Sequence, residues 1–491
     1  MINKKLMVGI SFILIFSTLF HANANINIVL SSEEPPGIVW SKTYGGINAD
    51  RAVSVQQTYD GGFIVAGPTN SYGAGGWDAW LIKTDSEGNE VWNKTYGGTL
   101  DDDVLCVIET RNGGYAIAGY SEYSQGKYEL WILKTYNNGT EEWSKKYRKG
   151  DTVFGFCIIE IEHGYVVVSK AEDDVWLLGI DENGIIVWNN TFGGAKPDWG
   201  LEVIQDDYGD YVIVGYTFSF GHGDADIWLI KANETGEELW NKTFGGGGYD
   251  TAGDVIQTYD GGYAITGGIT TSNGWRHFCL IKTDENGSEL WTKIYIINDF
   301  EVGSSLIQTV EGDYLIVGST DSFGSKGCNA CVIKTDENGV EVWNVTYGGN
   351  GQNSAGSIIG LNDKEFVTAG TYENDESGDD FWLVKLGYIP IVTIEKPKKG
   401  LYFMDFLIRP FLFRNPLIIG SINVEVDAVD NKYEVEKVEF YVNDYLMGTD
   451  FSEPYSYTWN DTSFGRYKLK AVAFNSNNYF GFDEIWVWKF F

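Results

Sequence analysis

Two sets of acidic residues recur at matched positions along the 491-residue chain. Ten residues after successive tryptophans stand Asp50, Asp102, Asp198, Asp250 and Glu301; Asp151 falls two residues short of the rule, and Asn353 fills it once. Carboxylates gathered on one face could ligate a hard cation such as Ca²⁺. One acid per loop is equally what bonding to loop or neighbouring backbone requires. The second set is uneven. Nine residues before the aromatic of a following apolar run stand Ser54, Cys106, Glu202, Asp254, Ser305 and Ser357, with Cys157 near the same place. Glu202 and Asp254 fall in consecutive repeats, and paired carboxylates could hold a cation or act as acid and base. A water-filled channel lined by small and polar groups would use the same residues.

Other reactive residues are sparse. Cys328-x-x-Cys331 is half a zinc site, with no second Cys or His pair at ligand spacing. Cys279 and Cys331 align with Trp80, a core strand position. Cys106 and Cys157, in consecutive repeats, are candidates for a bridge. The five cysteines are an odd count, so the chain is not a disulfide scaffold. His163, His222 and His277 are scattered, and no Ser-His-Asp or metalloprotease spacing is present. A sialidase would need an arginine cluster, and the repeats carry only Arg51, Arg111, Arg148 and Arg276.

The elements that must position these residues come from a repeat. Its pattern is W-x-K-T-Y-G-G, a Val/Ile run, D-G-G-Y-x-I-x-G, then W-L-I-K-x-D-x-x-G. The marker residues are Trp40, Trp92, Trp143, Trp188, Trp240, Trp291 and Trp343, spaced by 52, 51, 45, 52, 51 and 52 residues. A period near 50 with four short apolar runs predicts one four-stranded β-propeller blade per repeat. Two connections per repeat are tight Asp/Asn-Gly turns, so the two long ones share a face, and the strand after the acidic loop is innermost. The fold class is therefore all-β: a seven-bladed propeller over 38–387, with strand 40–44 closing the last blade. After a linker, 388–397, residues 398–491 alternate as the strands of an Ig-like sandwich.

The chain carries 69 acidic against 35 basic residues, a formal charge of −34, which excludes nucleic acid as a partner. Residues 1–24 read as an export signal: Lys4 and Lys5, an apolar stretch 6–20, and Ala22-Asn23-Ala24. The competing reading is an uncleaved anchor, for which the stretch is short. Residues 25–37 are then an N-terminal linker, and the mature chain has no membrane span. Eight N-x-S/T sequons, four directly after a marker Trp, make glycosylation an option.

The repeats resemble those of extracellular prokaryotic propellers and, more distantly, quinoprotein (PQQ) propellers. The shared piece is the docking motif D-x-x-G-x-x-x-W, as in Asp85, Gly88, Trp92 or Asp284, Gly287, Trp291, and the resemblance implies that the marker tryptophans wedge between blades. Seven repeats and no adjacent Cys pair depart from the quinoprotein enzymes, so no cofactor is expected beyond the Ca²⁺ option. Segments 435–443, 453–459 and 465–473 resemble Ig-like domains of prokaryotic secreted and surface proteins, which implies a spacer or adhesion module. Together these readings point to a secreted or cell-surface protein whose propeller loops bind a glycan or protein. Tyr72, Trp77, Phe218, Phe220 and Trp275 are the candidate contact residues. The alternatives are an extracellular enzyme using Glu202 and Asp254, and a structural envelope component.

Overall fold

The computed structural model describes residues 35–297, 300–321, 327–349, 351–362, 364–374, 378–410, 415–430 and 432–491. The export signal and most of the N-terminal linker lie outside the described residues. Seven four-stranded antiparallel sheets form the blades. Their innermost strands are Ser54–Gln57, Asp102–Glu109, Val153–Ile161, Asp198–Gln205, Thr251–Gln257, Glu301–Gln308 and Ser354–Asn362, defining blades 1 to 7. Each innermost strand touches the next, and the seventh touches the first, so the ring is closed. Gly37–Tyr44 supplies the outermost strand of blade 7, pairing with Gly378–Gly387.

Burial explains the apolar runs. The second strand of a blade is covered on both faces, as Phe63–Thr69 is along its whole length. It therefore reads as a continuous hydrophobic stretch rather than an alternation. The cores are shared between neighbours: Phe63, Val65 and Trp80 of blade 1 pack with Val367, Phe381 and Leu383 of blade 7. Each marker Trp then locks one blade to the next. Trp92 meets Tyr115 at 5.8 Å between ring centroids and Trp188 meets Tyr211 at 5.5 Å. The same rings cover the turn glycine of the following blade, where Trp40 lies over Gly88 and Trp240 over Gly287.

The last glycine of Y-x-I-x-G has a close-approach role. A β-bulge in the innermost strand pushes a carbonyl against the second strand. A Cβ at Gly215 would lie 1.7 Å from the Trp199 oxygen, and one at Gly267 would lie 2.0 Å from the Thr251 oxygen.

The C-terminal domain is a sandwich of a three-stranded and a seven-stranded sheet around Val424, Phe440, Trp459 and Leu469. Ile391–Lys396, inside the stretch read as a linker, is its first strand and pairs with Ile422–Val429. The sandwich is fastened to blade 7. Tyr479 donates its hydroxyl to Glu365, and Asn475 Nδ2 donates to the Tyr388 carbonyl at 3.2 Å. Among the described residues no helix is long and apolar enough to cross a membrane.

Candidate functional site: the channel wall and the loop face

The uneven set of residues stands on the innermost strands, turned towards the neighbouring blade, for a local reason. Cys106, Cys157, Glu202, Asp254, Ser305 and Ser357 each directly follow the bulge of an innermost strand. The bulge turns these side chains towards the adjacent blade. There they accept the next strand's backbone: Ser54 Oγ from Val107 N at 3.2 Å, Cys106 Sγ from Ile158 N at 3.5 Å, and Asp254 Oδ2 from Leu306 N at 3.0 Å. Small and polar side chains at this position thus stitch the ring together.

Blades 2 to 5 carry the reactive members. Cys106 Sγ lies 3.8 Å from Cys157 Sγ, and both thiols are free. Cys157 donates to Glu202 Oε1 at 2.7 Å. Burial, and then the charge of Asp254, hold the Glu202 carboxyl well above its usual range. Asp254 accepts from Ser305 Oγ at 2.8 Å and Val255 N at 2.7 Å in addition to Leu306. Burial outweighs these three donors and pushes its carboxyl up to about 6. Glu202 thus feels the Asp254 charge from the adjacent blade, and each is already engaged by hydrogen-bond donors.

The regular acids sit elsewhere and do not converge. Asp50, Asp102, Asp198, Asp250 and Glu301 are fully or almost fully buried, one at the foot of each loop. Asp50 Oδ2 takes Gly46 N at 2.8 Å and Ser71 Oγ at 2.7 Å; Asp198 and Asp250 take Gly194 N and Gly246 N. Among the described residues no three His, Cys, Asp or Glu side chains are grouped to hold a metal ion.

Each of these acids does meet one partner across the blade boundary. The carboxylates of Asp226 and Asp250 flank Gly245, whose φ is +142°, and a Cβ there would lie 2.7 and 2.4 Å from them. This contact explains the first glycine of Y-G-G. Asp78 with Asp102 and Asp174 with Asp198 repeat the arrangement. Burial, with the charge of its partner adding to it, raises the pKa of Asp78, Asp174 and Asp226. Elsewhere the pair is replaced by His277 against Glu301, 2.5 Å apart, or by Asn329 with Asn353 at 3.4 Å.

The predicted contact aromatics have separate fates. Tyr72 packs on Trp80 and bonds Gly45, Phe220 packs on Trp228, and Trp77 lies under Arg51. Trp275 stands exposed at the tip of its turn. Phe218 belongs to a larger arc that recurrence in the sequence could not reveal. Phe156 meets Trp199 at 5.8 Å, Trp199 stacks on Tyr216 at 5.6 Å, and Tyr249 contacts both Tyr216 and Phe218. The Arg276 guanidinium closes the arc between Tyr249 and Phe300, 5.6 and 5.0 Å from their centroids. All are half-buried or exposed, at the loop ends of blades 3 to 6. The available signal was variability: the residue after each regular acid is Arg51, Asp103, Trp199, Thr251 or Val302.

Residues 415–471 match the bacterial Ig domain family. No curated protein matches the chain. Among solved structures, the extracellular domain of BT4673 from B. thetaiotaomicron aligns at 10% identity and TM-score 0.40, covering 91% of this chain and 58% of that one. The chain thus spans less than two thirds of that domain's length. A Dyadobacter fermentans protein of unknown function aligns at 10% identity and TM-score 0.42 over 72% of this chain and 100% of its own. The fibronectin(III)-like modules of Clostridium thermocellum CbhA share 30% identity over 20% of this chain and 94% of theirs, at TM-score 0.16.

Proposed function

We propose that this chain is a binding protein of the cell exterior whose propeller presents its loop face to a glycan or protein ligand. The observation that carries this reading is the arc of Trp199, Tyr216, Phe218, Tyr249 and Arg276. Flat aromatic faces beside a guanidinium suit sugar rings and peptide side chains, because both bury apolar area while polar groups bond at the edge. The arc sits where the blades differ in sequence, as a ligand site on a repeat scaffold should. The Ig-like domain then serves as a spacer or adhesion module.

The channel carboxylates fit this reading better than catalysis. Every oxygen for which Asp254 has a partner is bonded to an inner strand, and Glu202 is held by Cys157.

The test is an array of glycans and envelope polysaccharides, probed with the chain and with Trp199→Ala and Tyr249→Ala. Saturable binding weakened roughly three- to tenfold by each change is expected. Binding that both variants retain in full would move the site away from the arc.

A further inference from the structure

We infer that the pole of the Ig-like domain farthest from the propeller is a foot that docks on an anionic lipid bilayer. The strand Phe480–Phe490 leaves the propeller junction, where Gly481 packs against Pro390 and Tyr479 bonds Glu365. It runs for 11 residues, about 35 Å at a strand's rise. At its far end, strand pairing aligns one apolar row across five strands: Phe464, Phe490, Ile419, Phe403 and Phe406. Phe464 and Phe406 are 75% and 74% exposed, and Met404 at the hairpin tip is exposed beside them. Water gains nothing from that arrangement.

The row behind it has a different composition. There Trp488, Leu417 and Leu401 are flanked by Arg466 at one end and Arg409 at the other. The single acid of the tip hairpin, Asp405, is neutralised by Lys396 at 2.8 Å. An apolar leading edge with tryptophan and arginines one row back matches the order of an interface. Acyl chains come first, then the headgroup level where Trp sits and phosphates pair with Arg. Two rows on one face lie two residues apart, about 7 Å along a strand, which falls within the depth of interfacial insertion.

Charge favours lipid over a second copy. The chain is strongly acidic, yet this pole presents Arg466 and Arg409 against one exposed acid, Asp461, which lies near Lys489, and the acidic propeller is held several Debye lengths of about 8 Å away from the surface.

The test is co-sedimentation of residues 35–491, the compact unit of the chain. That span removes the apolar stretch 6–20 as a second source of lipid affinity. Vesicles would be phosphatidylcholine alone and phosphatidylcholine with phosphatidylglycerol. Binding roughly tenfold or more tighter to the anionic vesicles is expected, from two arginines at the headgroups. The Phe406→Ser/Phe464→Ser variant should lose binding with an unchanged Tm, since both side chains are exposed. Failure to bind either vesicle, or full binding by that variant, overturns the inference. So does a wild-type dimer that the same variant dissociates, because the occupant would then be a second copy. None of these results touches the loop-face reading, which is scored on ligand binding by the propeller.

Discussion

The Cys157 thiol of blade 3 donates to the Glu202 carboxylate of blade 4 across 2.7 Å, while its sulfur stands 3.8 Å from Cys106 of blade 2. Three consecutive blades are thus linked through side chains at one level of the channel. The hydrogen bond with Cys157 lowers the Cys106 thiol, whereas Cys106, burial and Glu202 push Cys157 well up, so Cys106 is the member that reaches the thiolate, the form that reacts. Mild oxidation with diamide should join Cys106 to Cys157, with both thiol protons and two electrons passing to the diamide. Thiols titrated in denaturant should then fall from five to three. In Cys106→Ser the four remaining thiols should be untouched, and any loss there would place the reactive pair elsewhere.

Asp254 makes the channel sensitive to pH. Its folded pKa, about 6, lies above the ordinary 3.8 because burial disfavours the charge. A raised carboxyl contributes stability that is complete below its unfolded pKa and is lost as pH rises through the folded one. Relative to Asp254→Asn, the wild type should lose at most about 3 kcal/mol between roughly pH 4 and pH 7. Urea midpoints measured across that range decide it. Parallel curves for the two proteins would sink the assignment.

In the boundary pair of Asp226 with Asp250, burial, with the Asp250 charge adding to it, raises the Asp226 carboxyl, and the same place is filled elsewhere by an imidazole–carboxylate pair or by two amides. Two adjacent buried carboxylates do not both ionise cheaply. Asp226→Asn should therefore gain on the wild type as pH rises, and a chelator should leave the Tm of both unchanged. A fall in wild-type Tm with chelator, restored by Ca²⁺, would show that these pairs hold an ion instead.

The Trp wedge can be separated from backbone strain by two glycines with similar dihedrals. Gly261 (φ +85°) has open space around its missing Cβ, whereas a Cβ on Gly287 (φ +73°) would meet Trp240 at 2.5 Å. Gly261→Ala should cost about 1 kcal/mol for its positive φ. Gly287→Ala should cost a further 1 to 3 kcal/mol, roughly, for displacing the ring. Equal losses in chemical denaturation would mean that the wedge contributes nothing.

Recurrence made the blades readable. Most blades use a Trp over the neighbour's turn, a glycine beside a bulged carbonyl and an acid under the loop, so those residues return on schedule, with Ser169 and Asn353 as departures. The arc of Trp199, Tyr216 and Tyr249 belongs to one sector of the ring, so alignment of the repeats averaged it away. Ile391–Lys396 was hidden for another reason. It is a short edge strand between two prolines, and its partner, Ile422–Val429, lies beyond the whole tip hairpin. The apolar pole escaped notice because Phe403, Phe464 and Phe490 are distant in sequence and meet only through strand register.

Trp382 of blade 7 reaches back 341 positions to bond Ser41 at 2.8 Å, so the ring is sealed by the earliest and latest parts of its own blades. At ribosomal rates of about 5 to 20 residues per second, the first strand exists for roughly 20 to 70 s before its partner is made. Until then six and a half blades wait with two unpaired edges. The chain emerges as an open arc, and synthesis of the final hairpin is the event that gives the first strand its partner and closes the ring.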